Sequence, residues 1–237
     1  MDKIRNYQEG LDEILGGGIP AGQVVLIVGA PGTMKSSLSY AIIHENALRG
    51  LPGIYVSLEQ HASSLLYQMN RLGYDEKASA EYLSVLDLAA LRTKVKESET
   101  PWIDFFKMYA SGLRKKFGFR FLVLDSLDAL EILAHTRNHR KDIFELFSWL
   151  RELDCTSLVI GELASSSSDA VTLEHPGFSR HREDYLADGI IHLKLEKQGE
   201  FGMQRRLRIV KMRGTNHSTS YHAIIFDKGF RVTQVVS

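Results

Sequence analysis

A single cysteine among 237 residues leaves no partner for an intramolecular disulfide and no thiolate set for a zinc or iron–sulfur centre. Cys155 is therefore expected to be a small buried residue at a strand start, in a chain suited to a reducing compartment. Net charge is lacking too. The 29 basic residues balance 29 acidic ones, so no global field draws the chain to nucleic acid or to an anionic membrane. No apolar run is long enough to span a bilayer, and the stretch from Met1 to Asn6 carries no apolar signal segment, so a cytoplasmic protein is expected. The histidines of the polar stretches, His135, His139, His175 and His181, lack cysteine partners and metalloprotease spacing, which leaves no transition-metal motif there.

What is present is enough apolar material, 44% of the chain, for one substantial α/β core, and one domain over residues 1–237 is expected. The most informative stretch runs from Gly29 to Ser37, Gly-Ala-Pro-Gly-Thr-Met-Lys-Ser-Ser. It follows the apolar run Val24–Val28 and precedes a helical pattern in Leu38, Ala41, Ile42 and Leu48. A strand, a Gly-rich turn and a helix N-terminus in that order form a phosphate cradle from backbone N–H groups. Within the pattern G-x-x-x-x-G-K-[ST], Gly29, Ala30, Pro31, Gly32 and Thr33 form the turn. Lys35 would meet the β and γ phosphates, Ser36 would hold Mg²⁺, and Ser37 is the last residue of the stretch expected to bind the nucleotide. Met34 occupies the place of the second glycine. Were that position to need positive φ, Met would cost on the order of 1–3 kcal/mol. A helical φ at Met34 is the expectation favoured, because the other fixed positions surround it intact.

Further along, Ile54–Leu58 reads as a strand ending at Glu59-Gln60, and Phe119–Leu124 as a buried strand ending at Asp125-Ser126. Open parallel sheets bind their ligands beyond such carboxyl ends. Asp125 is thus either a Mg²⁺-holding carboxylate or a cap of the helix that starts near Ser126. Ser63–Arg71 and the stripe Ile103, Phe106, Ala110, Leu113 and Phe117 read as helices, with a polar connection over Thr93–Thr100. Thr156–Ile160 is another buried strand, leading to Gly161-Glu162. Segments from Gly189 onward read as strands joined by Gly-containing turns, so the sheet is expected to finish antiparallel.

Taken together, several ordered blocks resemble the RecA-type P-loop ATPases, and within them the group related to the circadian clock ATPase KaiC. They are Leu15–Gly22 before the loop, Tyr55–Gln60, Leu124–Leu127, Tyr185–Gly189, and above all Lys211-Met212-Arg213-Gly214-Thr215-Asn216-His217. The resemblance covers nearly the whole chain. It implies a mostly parallel central sheet flanked by helices with antiparallel strands at the C-terminal end, ATP and Mg²⁺ as cofactors, and a ring of subunits, most readily six. It also implies that Glu59 activates the attacking water, that Glu162 senses the γ phosphate, and that Lys211 and Arg213 act like an arginine finger on the neighbouring subunit's nucleotide. Where KaiC relatives show paired acids, this chain has Glu59-Gln60, a single carboxylate.

Three functions follow as alternatives: an ATPase completed across a subunit interface, a nucleotide-gated scaffold with little hydrolysis, and a recombinase-like DNA-handling ATPase. The basic stretches 135–141 and 164–183 are candidate contacts for nucleic acid or solvated loops. The neutral charge and the lack of an aromatic ladder favour a protein partner. Autophosphorylation, with Ser179 or Thr172 as acceptor, is the weakest alternative.

Overall fold

A computed structural model describes residues 2–94, 100–134, 139–162 and 183–234. The short strands β1 (Lys3–Ile4) and β2 (Ile19–Pro20) pair antiparallel around α1 (Leu11–Ile14). Then follow β3 (Val24–Gly29), α2 (Lys35–Ala47), β4 (Gly53–Ser57), α3 (Ala62–Arg71), α4 (Glu76–Ser79), β5 (Leu83–Asp87), α5 (Leu88–Lys94) and α6 (Trp102–Phe117). After these come β6 (Phe121–Asp125), α7 (Leu127–Ala134), α8 (His139–Glu152) and β7 (Thr156–Glu162). The chain ends in β8 (Gly189–Gln198), β9 (Gly202–Met212), β10 (His222–Phe226) and β11 (Phe230–Gln234).

Nine of these strands form one sheet in the order β11-β10-β9-β8-β3-β7-β6-β4-β5. From β8 to β5 every neighbouring pair is parallel. The β8–β9, β9–β10 and β10–β11 pairs are antiparallel, as the Gly-punctuated C-terminal sequence implies. Every residue of β3, β4 and β6 is buried, which explains why these segments read as continuous apolar runs rather than alternating ones.

Two apolar layers cover the sheet. On one face α2 and α3 pack Leu38, Ala41, Ile42, Leu65 and Met69 against Val25, Ile27 and Val123. Here Tyr40 meets Tyr55, Tyr74 and His44, and His44 meets Tyr74, at ring-centroid distances of 5.4–6.2 Å. On the other face α6, α7 and α8 pack Phe105, Phe106, Leu130, Leu146 and Phe147 against Leu26, Val28 and Leu124. Both tryptophans belong to this second layer, Trp149 edge-on to Phe106 and Trp102 to Phe105. Helix α6 stops at Gly118, whose φ of 63° allows its N–H to close on the Arg114 carbonyl at 2.9 Å.

The connection expected over Thr93–Thr100 falls largely outside the described residues, as do residues 135–138 and the whole of 164–182 with Thr172 and Ser179. Residues 139–141 belong to the first turn of α8. Among the described residues no helix is long and apolar enough to cross a membrane, and no group of three or more His, Cys, Asp or Glu side chains is placed to hold a metal ion.

Cys155 lies just before β7 and is 2% exposed, as its sequence context implies. Burial pushes its thiol up to about 11, with the nearby Ser157 hydroxyl and Arg114 acting in the opposite direction. At neutral pH the folded protein should therefore react with a thiol reagent at least about 100-fold more slowly than the denatured chain. Comparable rates in a colourimetric thiol assay would contradict that burial. A second titration test concerns His192 on β8, pushed down to about 4 by burial, with Lys194 and Arg208 adding to the effect. Because the folded value lies below the ordinary 6.5, its contribution is complete above that pH and is lost as the pH falls toward the folded value. His192→Gln should flatten the acid limb of the stability curve by up to about 3 kcal/mol, measured by urea unfolding across that range.

Candidate functional site

The register of the parallel strands brings their carboxyl ends together in two steps: Gly29 lies opposite Glu162, and Ser57 opposite Asp125 two residues lower. Beyond this rim lies a cleft of about 380 Å³ lined by Pro31, Gly32, Met34, Lys35, Ser36, Ser37, Glu59, Asp125, Ser126, Ile160 and Glu162. Residues read from four separate stretches of sequence thus meet in one place. Ala30 and Thr33 belong to the same loop, and the Thr33 hydroxyl donates to the Ala30 carbonyl at 2.8 Å, bracing the turn internally.

The loop has a steric reason for its first glycine. A Cβ on Gly29 would lie 2.4 Å from the Leu193 carbonyl oxygen of β8 and 2.8 Å from Thr33 Oγ1, so no larger residue fits where β3 leaves the sheet. Gly32 has φ of 81°, which favours glycine for conformation rather than space. The helical φ expected at Met34 is not found: its φ is 71° and its ψ 32°, left-handed, as the motif's usual glycine would be. The loop must turn its N–H groups inward before α2 begins, and that geometry overrides the side chain's preference. The Met34 side chain is half-buried against the α2 face of the core, which offsets part of a strain of about 1–2 kcal/mol.

Helix α2 begins with neither an acidic residue in its first turn nor a side-chain cap, so its positive end and first N–H groups face the cleft uncompensated. Lys35 folds over the loop and donates to the Gly29 carbonyl at 2.7 Å and the Ala30 carbonyl at 3.3 Å. Burial lowers its pKa, against the opposing pull of Glu162, Glu59, Asp125 and Asp128. The ammonium thus stands in a ring of carboxylates.

Asp125 is 3% exposed. Burial raises its pKa, while the Tyr55 and Ser36 hydroxyls, both within hydrogen-bonding reach, pull it down. The Tyr55 hydroxyl donates to Asp125 Oδ2 at 2.5 Å. Tyr55 itself is raised well above its ordinary value by burial, with the Asp125 charge adding to the effect. The alternative of Asp125 as a helix cap is answered by its neighbour, because the Ser126 hydroxyl receives the Ala129 N–H at 3.2 Å and so caps α7. The same Ser126 hydroxyl donates to Glu59 Oε1, tying the end of β4 to the end of β6. Glu162 is anchored through its backbone, whose N–H donates to Asp128 Oδ2 at 2.6 Å.

Lys211 and Arg213 lie elsewhere. Lys211 pairs with Ile190 at the start of β8, which runs beside the start of β3. Its ammonium donates to the Ala187 carbonyl at 2.7 Å and the Asp184 carbonyl at 3.3 Å, and burial lowers its pKa, Arg213 acting the same way. Arg213 Nη1 donates to Asp188 Oδ1 at 2.7 Å. The pair therefore occupies the opposite rim of the sheet from the cleft. Along β3, Arg213 is level with Val24 and Lys211 with Leu26, five and three residue steps below Gly29, about 16 and 10 Å at about 3.3 Å each.

The structure adds one cation that the motif search missed. Arg205, on β9 beyond the last β3–β8 pair, reaches back and donates from Nε to the Gly32 carbonyl at 3.3 Å. Its signal in the sequence is parity: Arg205 is in phase with the buried Leu207 and Ile209, so it shares the core face of β9 and overhangs the loop. Tyr55, Ser126 and Asp128 were missed for a different reason. They act through neighbours on other strands.

A Gly-rich turn between the central parallel strand and a buried helix, with a lysine at the helix start and acids on the adjoining strand ends, defines a nucleotide-binding ATPase of RecA-type fold. The comparisons agree and narrow it. A family profile described as "ATPase: KaiC" matches residues 4–236, and the chain belongs to that family. The chain is 34% identical to the UPF0273 protein PH0284 of Pyrococcus horikoshii, covering 97% of this chain and 93% of that protein. It is 26% identical to the circadian clock protein KaiC2 of Synechocystis, over 97% of this chain but only 39% of that longer protein. The crystal structure of the KaiC-like protein PH0186 from Pyrococcus horikoshii superposes with a TM-score of 0.82 at 26% identity, covering 98% of each chain.

Because the loop's own contacts already hold Met34 left-handed, the strain belongs to the fold and not to nucleotide binding. Met34→Gly should then change the affinity for a non-hydrolysable ATP analogue by less than about tenfold, under roughly 1.4 kcal/mol. Calorimetric titration of both proteins reads this directly. No binding by the wild type together with tight binding by the variant would mean that Met34 closes the site.

Proposed function

We propose that the protein binds ATP with Mg²⁺ in the cleft and hydrolyses it at a site shared between adjacent subunits of a ring, most readily of six. The observation that carries this is the division of the machinery between two rims of one sheet. The phosphate loop, Glu59, Asp125 and Glu162 stand on one rim, while Lys211 and Arg213 stand toward the other, about 10 and 16 Å lower along β3. Cations so placed cannot reach the subunit's own phosphates and are presented to a neighbour's, as an arginine finger acting in trans.

Within the cleft the N–H groups of residues 32–36 would cradle the phosphates and Lys35 would move from the loop carbonyls onto the β and γ oxygens. The oxygen pair of Ser36 and Asp125 fits a hard divalent cation, which usually takes few protein ligands and completes its shell with phosphate and water. When bound, Mg²⁺ would supply neutralisation of the β and γ charges. Glu59 would take the proton of the attacking water, with Ser126 fixing one carboxylate oxygen so that the other is presented to the cleft. Glu162 at the end of β7 would report the γ phosphate through Asp128 to α7. Arg205 joins the nucleotide-binding set, its guanidinium exchanging the Gly32 carbonyl for a phosphate oxygen. The nucleotide state would be coupled to a protein partner, a role that the neutral net charge favours over nucleic acid.

Lys35→Ala should abolish binding of a non-hydrolysable analogue, whereas Glu59→Gln should keep the affinity within about threefold and lower turnover by at least about 100-fold. Phosphate-release kinetics and calorimetry on the same preparations separate the two effects. Equal turnover of Glu59→Gln and wild type would overturn the assignment of the base. It would leave the nucleotide-gated scaffold as the better account.

A further inference from the structure

Asp188 belongs to neither rim's chemistry, yet it is the most heavily engaged carboxylate at the far end of the sheet. It is 8% exposed, and three groups from three elements converge on it. Its Oδ1 receives Arg213 Nη1 at 2.7 Å. Its Oδ2 receives Arg151 Nε from α8 and the Val24 N–H at the start of β3, at 3.3 and 3.2 Å. Its backbone is fixed as well, the N–H donating to the Val24 carbonyl at 2.8 Å and the carbonyl receiving the Arg213 N–H at 3.0 Å. Both hands of the residue thus hold Arg213, backbone to backbone and side chain to side chain.

The bond uses one arm of a planar fork. The Arg213 side chain stays 56% exposed, and its remaining donors have no hydrogen-bond partner among the described residues. A guanidinium gripped at one nitrogen by a buried carboxylate loses the rotamer freedom of a long surface chain while keeping donors to spare for an incoming anion. Lys211 is drawn to the carbonyls of the same short segment, at Asp184 and Ala187.

We infer that Asp188 is the positioning residue for the Arg213 finger, fixing its direction before a neighbouring subunit's nucleotide arrives. The inference rests on the shared site proposed above. Asp188 touches no substrate and acts only through the arginine, so its effect falls on the adjacent subunit's turnover and not on its own subunit's nucleotide affinity.

Subunit mixing tests this. Asp188→Asn keeps the shape and an acceptor for the Val24 N–H but removes the charge that grips the guanidinium. Alone it should lose roughly tenfold or more in turnover while binding a non-hydrolysable ATP analogue within about threefold of wild type. Assembled with an equal amount of Glu59→Gln, whose own site is dead but whose finger is intact, it should regain turnover well above the sum of the two parents. Arg213→Ala mixed with Glu59→Gln is run beside it and tests the shared site itself. If the Arg213→Ala pair complements and the Asp188→Asn pair does not, Asp188 is a structural residue of its own subunit and the inference is overturned. Full activity of Asp188→Asn alone overturns it as well. If neither pair complements, the shared site fails and the inference fails with it. Should Asp188→Asn show no cooperative thermal transition, Asp188→Glu, which keeps the charge but displaces it by one methylene, carries the same comparison.

Discussion

Everything described above depends on β3 being hydrogen-bonded on both edges while apolar on both faces. Such a strand can exist only at the centre of a sheet whose two faces are both covered, because any unpaired backbone group or exposed Val or Ile would cost free energy with nothing to offset it. The cover comes from α2 and α3 on one side and α6, α7 and α8 on the other. With the strand so enclosed, its last residue has one way out. Gly29 passes within contact distance of the β8 backbone, and the chain turns over the sheet's edge into α2. The phosphate loop lies where the enclosed strand must release its chain.

That exit determines the electrostatics of the cleft. Strand β7 ends level with β3, strands β6 and β4 two residues lower, and together they bring Glu162, Asp125 and, just beyond β4, Glu59 toward one lysine. Burial raises the Asp125 carboxyl, against the downward pull of the Tyr55 and Ser36 hydroxyls and of Lys35. A cleft so rich in carboxylate would repel a bare polyphosphate. It suits one that arrives with a cation, and it explains why the helix opening the site carries no acid of its own in the first turn.

The strand–loop–helix order, the rim acids and the antiparallel finish were all legible in the sequence, because each rests on local information. A five-residue apolar run, an acid immediately after such a run, and a glycine between alternating segments can be read without knowing what lies opposite. Where sequence reasoning failed, the deciding group lay elsewhere in the chain. The φ of Met34 is imposed by the loop and not by its own side chain, so its helical preference was a poor guide. Arg205 reaches Gly32 only because β9 extends past the end of β3, a register that depends on the β8–β9 turn. Tyr55 and Ser126 looked like strand and helix-start residues, and both are, with their hydroxyls turned onto Asp125 and Glu59. Lys211 and Arg213 were visible as a pair, while the Asp188 that holds one of them is 25 residues away.

The placement of both tryptophans on one face of the sheet gives the molecule an optical reporter of that face. Tyr40, Tyr55 and Tyr74 lie in the layer that carries the phosphate loop, and the Tyr55 hydroxyl is bonded to a rim carboxylate. Trp102 and Trp149 lie in the opposite layer, against α6 and α8. Tryptophan emission therefore follows the packing of the far helices, whereas tyrosine is spread over both layers, with Tyr109 stacked on Phe105 of α6, and over the surface. A change in tryptophan emission on adding nucleotide would show that the layer away from the phosphate loop responds to the cleft.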